Sequence, residues 1–180
     1  MNTKINIGAG AFLALILFSC SPKIPFTQSV REQHSLTESD LKSLQFFNSH
    51  DIVLNWAESN AKEQNMVDGT LTIKSGKSVE QVIIKAGTPG IAERVPGTKS
   101  IAVSFEFGEN TGLIFGTSKT SYNDRYTLMA PAWKENKGKI QYAGKTYYTS
   151  GRSGDTYLQF KMKRLNKIIR KQRVVKGRKI

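Results

Sequence analysis

Along this chain the spacing of apolar residues changes several times, and each change marks a different kind of element. Residues 5–18 are almost continuously apolar, broken only by Asn6 and the glycines Gly8 and Gly10. Leu41, Leu44 and Phe47 then fall on one helical stripe, and after Asp51 the pattern turns to alternation with a period of two. From Leu165 onward Ile168 and Ile169 return to helical spacing, now among basic residues.

The first helical stripe comes with its own start signal. Thr37-Glu38-Ser39-Asp40 is close to a capping box, with Thr37 placed to cap the first turn and Asp40 near the positive end of the helix. Leu36 and Leu41 occupy the positions of a hydrophobic staple, so a helix over 38–47 is predicted. Before it, Pro22, Pro25 and scattered polar residues show no sustained period, and 20–35 reads as a tether.

The period-two region supplies strands. Residues 52–56 form a short apolar run, and Leu71 and Ile73 alternate with threonines before a Ser75-Gly76-Lys77 turn and a return strand over 79–85. In 101–107 Ile101, Val103, Phe105 and Phe107 alternate with small or charged residues, as in a half-buried strand. Further strands are predicted over 113–115, 125–130, 139–142, 145–149 and 156–162, with glycine- and asparagine-bearing turns between them. Short strands joined by turns leave no room for crossover helices. The expected fold is mainly β: an antiparallel sandwich or a small SH3-like barrel, preceded by one short helix and followed by a basic helix or tail.

Charge divides the chain unevenly. Of the 27 basic residues, ten lie in 161–180, where no acidic residue occurs: Lys161, Lys163, Arg164, Lys167, Arg170, Lys171, Arg173, Lys176, Arg178 and Lys179. The rest of the chain, with 17 basic and 14 acidic residues, is close to neutral. The reading is therefore a near-neutral β-domain over 36–163 and a basic segment over 164–180. Such a segment suits anionic headgroups, nucleic acid, or an acidic protein or wall polymer.

Few residues point to chemistry. His34 and His50 lack neighbouring cysteines or a second histidine at ligand spacing, and no Gly-x-Ser-x-Gly elbow is present. Glu106, Glu109, Asp124 and Glu135 stand at expected strand or turn ends, where any soluble β-domain carries acids. Residues 150–155 resemble a phosphate loop only superficially, because they precede a strand and lack the Gly-Lys-Ser/Thr ending. No catalytic residue, metal site or cofactor is expected. Tyrosines are more suggestive: Tyr147 and Tyr148 must face opposite ways on a strand, so one is expected to be exposed and available to a ligand or glycan.

The N-terminal pattern says where the protein resides. Lys4 begins a positive region, the apolar run follows, and Leu17-Phe18-Ser19-Cys20 closes it, with Cys20 the only cysteine of the chain. The run is shorter than the roughly 20 residues a spanning helix needs. This arrangement resembles the lipobox of bacterial lipoproteins. The resemblance covers residues 1–20 alone and implies cleavage between Ser19 and Cys20, with a diacylglyceryl and acyl lipid on Cys20. Ser21 is not the aspartate that retains such proteins at an inner membrane, and no acid follows Cys20 closely. An outer membrane and its periplasmic side are expected. A secreted, lipid-held domain seldom meets nucleic acid, so the basic segment is read toward an envelope protein, an anionic polymer or lipid headgroups.

The resulting expectation is a non-enzymatic envelope lipoprotein that binds or scaffolds through its basic segment, with ligand or glycan binding through exposed tyrosines as the alternative. Cys20→Ala is expected to abolish incorporation of labelled palmitate and to leave the precursor unprocessed on gels. Unchanged labelling and processing would refute the lipobox.

Overall fold

The computed structural model describes residues 21–56, 80–118, 122–150, 152–170 and 178. The predicted hairpin strand around Leu71 and Ile73 lies outside them, as do Ser19 and Cys20. The elements are β1 (Lys23–Pro25), α1 (Gln28–Gln33), α2 (Glu38–Ser43), β2 (Gln45–Asn48), β3 (Ile52–Trp56), β4 (Gln81–Ile84), β5 (Pro89–Gly97), β6 (Ser100–Ser104), β7 (Leu113–Gly116), β8 (Thr127–Leu128), β9 (Ala132–Lys134), β10 (Lys137–Tyr142), β11 (Lys145–Ser150), β12 (Leu158–Lys161) and α3 (Met162–Ile169).

The protein is mainly β, with two antiparallel sheets, as the alternation predicts. One sheet has seven strands in the order β1-β12-β2-β5-β6-β7-β8, the other five in the order β4-β3-β11-β10-β9. Their inward side chains form one core, including Phe46, Ile101, Val103, Leu113, Phe115 and Phe160 from the first sheet and Ile52, Leu54, Ile140 and Tyr147 from the second.

The larger sheet curls until its two edges meet. Just beyond β1, the Tyr126 amide donates to the Phe26 carbonyl at 3.1 Å, and Thr27 bridges Arg125. Phe26 itself donates to the Leu158 carbonyl at 2.8 Å, and Leu158 donates to that of Tyr126 at 2.9 Å. Register shifts between β5 and β6, at Ala92/Arg94 and Arg94/Gly97, add the local bend that such closure requires. Gly90 permits the tight packing of β5 on β6, because a Cβ there would stand 2.7 Å from the Phe105 ring.

At the closure the Phe26 ring is fully buried. It meets Phe46 and Phe160 edge-on at 5.2 and 5.6 Å, and Tyr126 at 5.0 Å. Such aromatic pairs are worth about 0.5–1.5 kcal/mol beyond the area they bury. The Tyr126 hydroxyl extends the joint outward, accepting from Arg31 at 3.0 Å and donating to Gln28 at 2.6 Å, both on α1.

Several expectations are corrected here. The segment 20–35 is not a bare tether: its described part supplies β1, Phe26 and α1, the helix being capped by Thr27. Two prolines and few apolar residues hid this, because one strand of three residues has too little length to show a period.

The predicted helix over 38–47 begins as expected, with the Thr37–Asp40 capping box formed and Leu36 and Leu41 buried. It stops at Ser43. Leu44 is extended, and the chain becomes β2, where Phe46 is buried and pairs with Phe160 and Gly90. Sheet pairing overrides the helical stripe.

The strand predicted over 101–107 ends at Ser104. Ala102 and Ser104 are buried along with Ile101 and Val103, while Phe107 is fully exposed. Both faces are covered, so this is a central strand instead of a half-buried one. The return strand predicted over 79–85 is seen as β4, paired with β3. The strand predicted over 156–162 is shorter, and α3 begins at Met162, ahead of the expected boundary at 164.

Phe26→Ala is expected to lower unfolding stability by about 3–5 kcal/mol, since it removes the ring at the closure and leaves a cavity. Urea denaturation will read this as a lower midpoint at unchanged slope.

Candidate functional site

The basic residues converge on one edge of the larger sheet. β1 runs antiparallel to β12 in a register that sets Lys23 directly opposite Lys161. Like charges so placed repel. The ring of Phe47 on β2 is near both ammonium groups and offsets part of the repulsion, with the Lys23 Nζ 4.2 Å and the Lys161 Nζ 5.9 Å from its centroid. Lys23 also donates to the Gly87 carbonyl at 3.3 Å.

β12 passes directly into α3, with Lys161 as the N-cap residue but no side-chain cap bond. Leu165 is fully buried, Met162 and Ile168 pack against the core, and Lys163, Arg164, Lys167 and Arg170 are exposed. Eight residues are too few for a stable isolated helix, so α3 is held by packing. Its first-turn charges work against it, while Lys167 in the last turn suits the dipole. Lys163 and Arg164 sit in a first turn without an acid, at the positive end of the helix dipole.

Among the described residues the ion pairs join Lys42 to Glu38, Lys85 to Asp51, Lys145 to Glu80 and Arg152 to Asp155. None engages Lys23 or the cations of β12 and α3. Arg178 is exposed; Lys171, Arg173, Lys176 and Lys179 lie outside the described residues. Of the apolar stripe predicted for the basic helix, Leu165 and Ile168 are directed into the protein's own core and Ile169 is exposed.

The two candidate tyrosines separate as alternation requires. Tyr148 is 38% exposed on the outer face of the second sheet, with Lys139 and Asn55 as its cross-strand neighbours. Tyr147 is buried, so it cannot present its ring to a ligand. Its hydroxyl donates to Glu80 at 2.9 Å. Beside it, edge-on at 6.1 Å, Tyr142 is also buried and donates to Glu106 at 2.5 Å.

Burial pushes both phenols above their ordinary value, and the hydrogen bonds to the carboxylates, which favour the neutral phenol, push further in the same direction. Glu80 is held below the usual carboxylate range by Lys145 first and Tyr147 second. Tyr126 is raised as well, burial outweighing the opposing contact with Arg31. These tyrosines organise the core and its rim; sequence spacing could not tell which of them would be inside.

The remaining sequence candidates stay apart. His34 caps the end of α1, and His50 contacts the Ser49 hydroxyl at 2.8 Å and the Tyr157 ring edge-on. Glu109, Asp124 and Glu135 are exposed. Residues 153–155 form a short 3-10 turn before β12, with Ser153 buried against β3 and Arg152 paired to Asp155. No cluster of three or more His, Cys, Asp or Glu side chains is placed to hold a metal among the described residues. Nor is any helix among them long and apolar enough to cross a membrane.

One open cleft of about 600 Å³ lies between β8, β9 and that 3-10 turn, lined by Met129, Trp133, Asn136, Arg152 and Asp155 among others. The six-membered ring of Trp133 lies against Gly138 and Gly154, where a Cβ on either would stand 3.0 Å away.

Comparison with known families, with characterised proteins and with solved structures finds no match for this chain.

The three raised phenols generate a pH prediction. Below the ordinary value of 10 the phenols are neutral in both folded and unfolded chains, and stability is unaffected. Above it the unfolded chain releases these protons first, so stability falls as pH rises. Tyr142→Phe is expected to make that alkaline decline shallower by up to about 1.4 kcal/mol per pH unit. Urea midpoints measured across alkaline pH will show it; an unchanged slope would contradict the buried, hydrogen-bonded phenol.

Proposed function

We propose that the protein is a lipid-anchored component of a bacterial cell envelope, attached through Cys20 at an outer membrane and facing the periplasm. It acts there as a non-enzymatic binding or scaffold module whose basic segment contacts an anionic envelope component or partner protein. The observation that supports this most is the cationic face of α3. Its Lys163, Arg164 and Lys167 are exposed and unpaired among the described residues, and the first two stand in the first turn, where the helix dipole disfavours a cation. Charge kept at such positions is explained by something the helix meets, and not by the helix itself.

Recognition then proceeds by charge. Met162, Leu165 and Ile168 pack inward and fix the helix, so Lys163, Arg164 and Lys167 are presented from a fixed support and not from a loose coil. Anionic groups approaching this face displace water and counterions from several cations at once. A second reading, ligand or glycan binding, draws on Tyr148 alone, since Tyr147 is interior. It requires glycan-array binding that Tyr148→Ala removes.

Deleting 164–180 is a poor test of the scaffold reading, because it also removes the buried Leu165. Neutralising Lys163, Arg164 and Lys167 together to glutamine leaves the core intact. In co-purification from detergent-solubilised envelopes, the intact protein is expected to retain an anionic component in a salt-sensitive way, and the neutralised variant to recover several-fold less. Equal recovery would overturn the proposal.

A further inference from the structure

We infer that the cationic surface of β1, β12 and α3 docks on the anionic phospholipid headgroups of the same membrane that holds Cys20. This deepens the reading above and rests on its lipid anchor. Along the sequence the lipid and the polycation stand at opposite ends, which invites a molecule that reaches from one layer to another. Sheet pairing brings them together instead.

The length of the intervening chain sets how far the two can be apart. Cys20 precedes Lys23 by three residues, which span at most about 11 Å even when fully extended. Lys23 is the Cα partner of Lys161, and antiparallel partners stand about 4.5–5.5 Å apart. Chain connectivity alone keeps the Cα of Cys20 within about 16 Å of that of Lys161. Acyl chains on Cys20 bury in the bilayer and hold that residue at the headgroup level. Lys161 is then within about two Debye lengths of the membrane surface at physiological ionic strength, and α3 begins at the next residue.

Three further observations favour headgroups over a protein in a groove. The apolar stripe of α3 is occupied by the protein's own core, through Leu165, which removes the usual means by which an amphipathic helix fits a partner's groove. What faces outward is charge: Lys163, Arg164, Lys167 and Arg170, with the partly exposed Ile169 beside them. Lys23 and Lys161 are opposed across the strands with no ion pair among the described residues, and an anionic layer relieves that repulsion as Phe47 does only in part. The anchor also makes this membrane the anionic surface present at the highest local concentration. A chain so docked lies with the β1, β12 and α3 edge toward the bilayer.

The test uses the lipidated full-length protein reconstituted into vesicles of phosphatidylcholine alone, or of phosphatidylcholine with about 30% phosphatidylglycerol. Flotation reports the anchor. Acetylation of individual lysines by an amine-reactive reagent, read by mass spectrometry, reports the docking. Lys23, Lys161, Lys163 and Lys167 are expected to react several-fold more slowly on the anionic vesicles and to recover in high salt. Lys134 and Lys139, on β9 and β10, should react alike on both. Glutamine at Lys161, Lys163, Arg164 and Lys167 should leave flotation intact and abolish protection of Lys23. Flotation with equal reactivity on both vesicles overturns the inference, as does protection that arises only when an acidic protein or wall polymer is added. Failure to float overturns the anchor, and the inference with it.

Discussion

Phe26 is the residue on which the fold turns. Its backbone joins the two edges of the seven-stranded sheet, accepting from Tyr126 and donating to Leu158, while its ring fills the space between Phe46, Tyr126 and Phe160. An open sheet would leave a row of unpaired peptide groups at each margin. Joining them satisfies those groups and encloses the aromatic core in one step. α1 sits over the same place, tied down through Gln28 and Arg31 to the Tyr126 hydroxyl. The closure therefore couples β1, α1, β8 and β12, elements separated by up to about the whole length of the domain.

That closure also decides the electrostatics. For Phe26 to reach the core, β1 must lie beside β12, and this pairing carries Lys23 to Lys161 and sets the start of α3 at the same edge. Hydrophobic burial, which is strong and short-ranged, thus imposes a cluster of like charges that electrostatics alone would disperse. The cluster survives because exposed charges are well solvated and because Phe47 receives the two lysines. α3 shows the same ordering of forces. Its N-terminal turn has no side-chain cap and carries cations at the positive end of the dipole, yet a fully buried Leu165 keeps it in place.

The legibility of the chain follows from how local each signal is. β10 was visible because alternation is carried within the strand, β7 because it is a short apolar run between turns, and the Thr37–Asp40 box because a cap is made by residues three apart. The exit from α2 was not, since Leu41, Leu44 and Phe47 fit a helix, and only the pairing of Phe46 with Phe160 shows otherwise. Tyr147 and Tyr148 were known to diverge, but which one faced the core depended on what the second sheet covers. β1 was hidden for the same reason: three residues that follow Pro22 and end in Pro25 acquire a strand's identity only from β12.

The amino-acid sequence by itself determined the antiparallel β class, the start of α2, the opposite facing of Tyr147 and Tyr148, and the concentration of positive charge in 161–180. Each depends on composition or on spacings of a few residues, which the covalent chain carries with it. Tertiary structure alone decided that the segment after Cys20 is part of the core, that Tyr147 is interior, that the apolar side of α3 faces inward, and that Lys23 lies opposite Lys161. These rest on contacts between residues distant in the chain, which form only when the shared core is buried and that burial repays the loss of chain entropy.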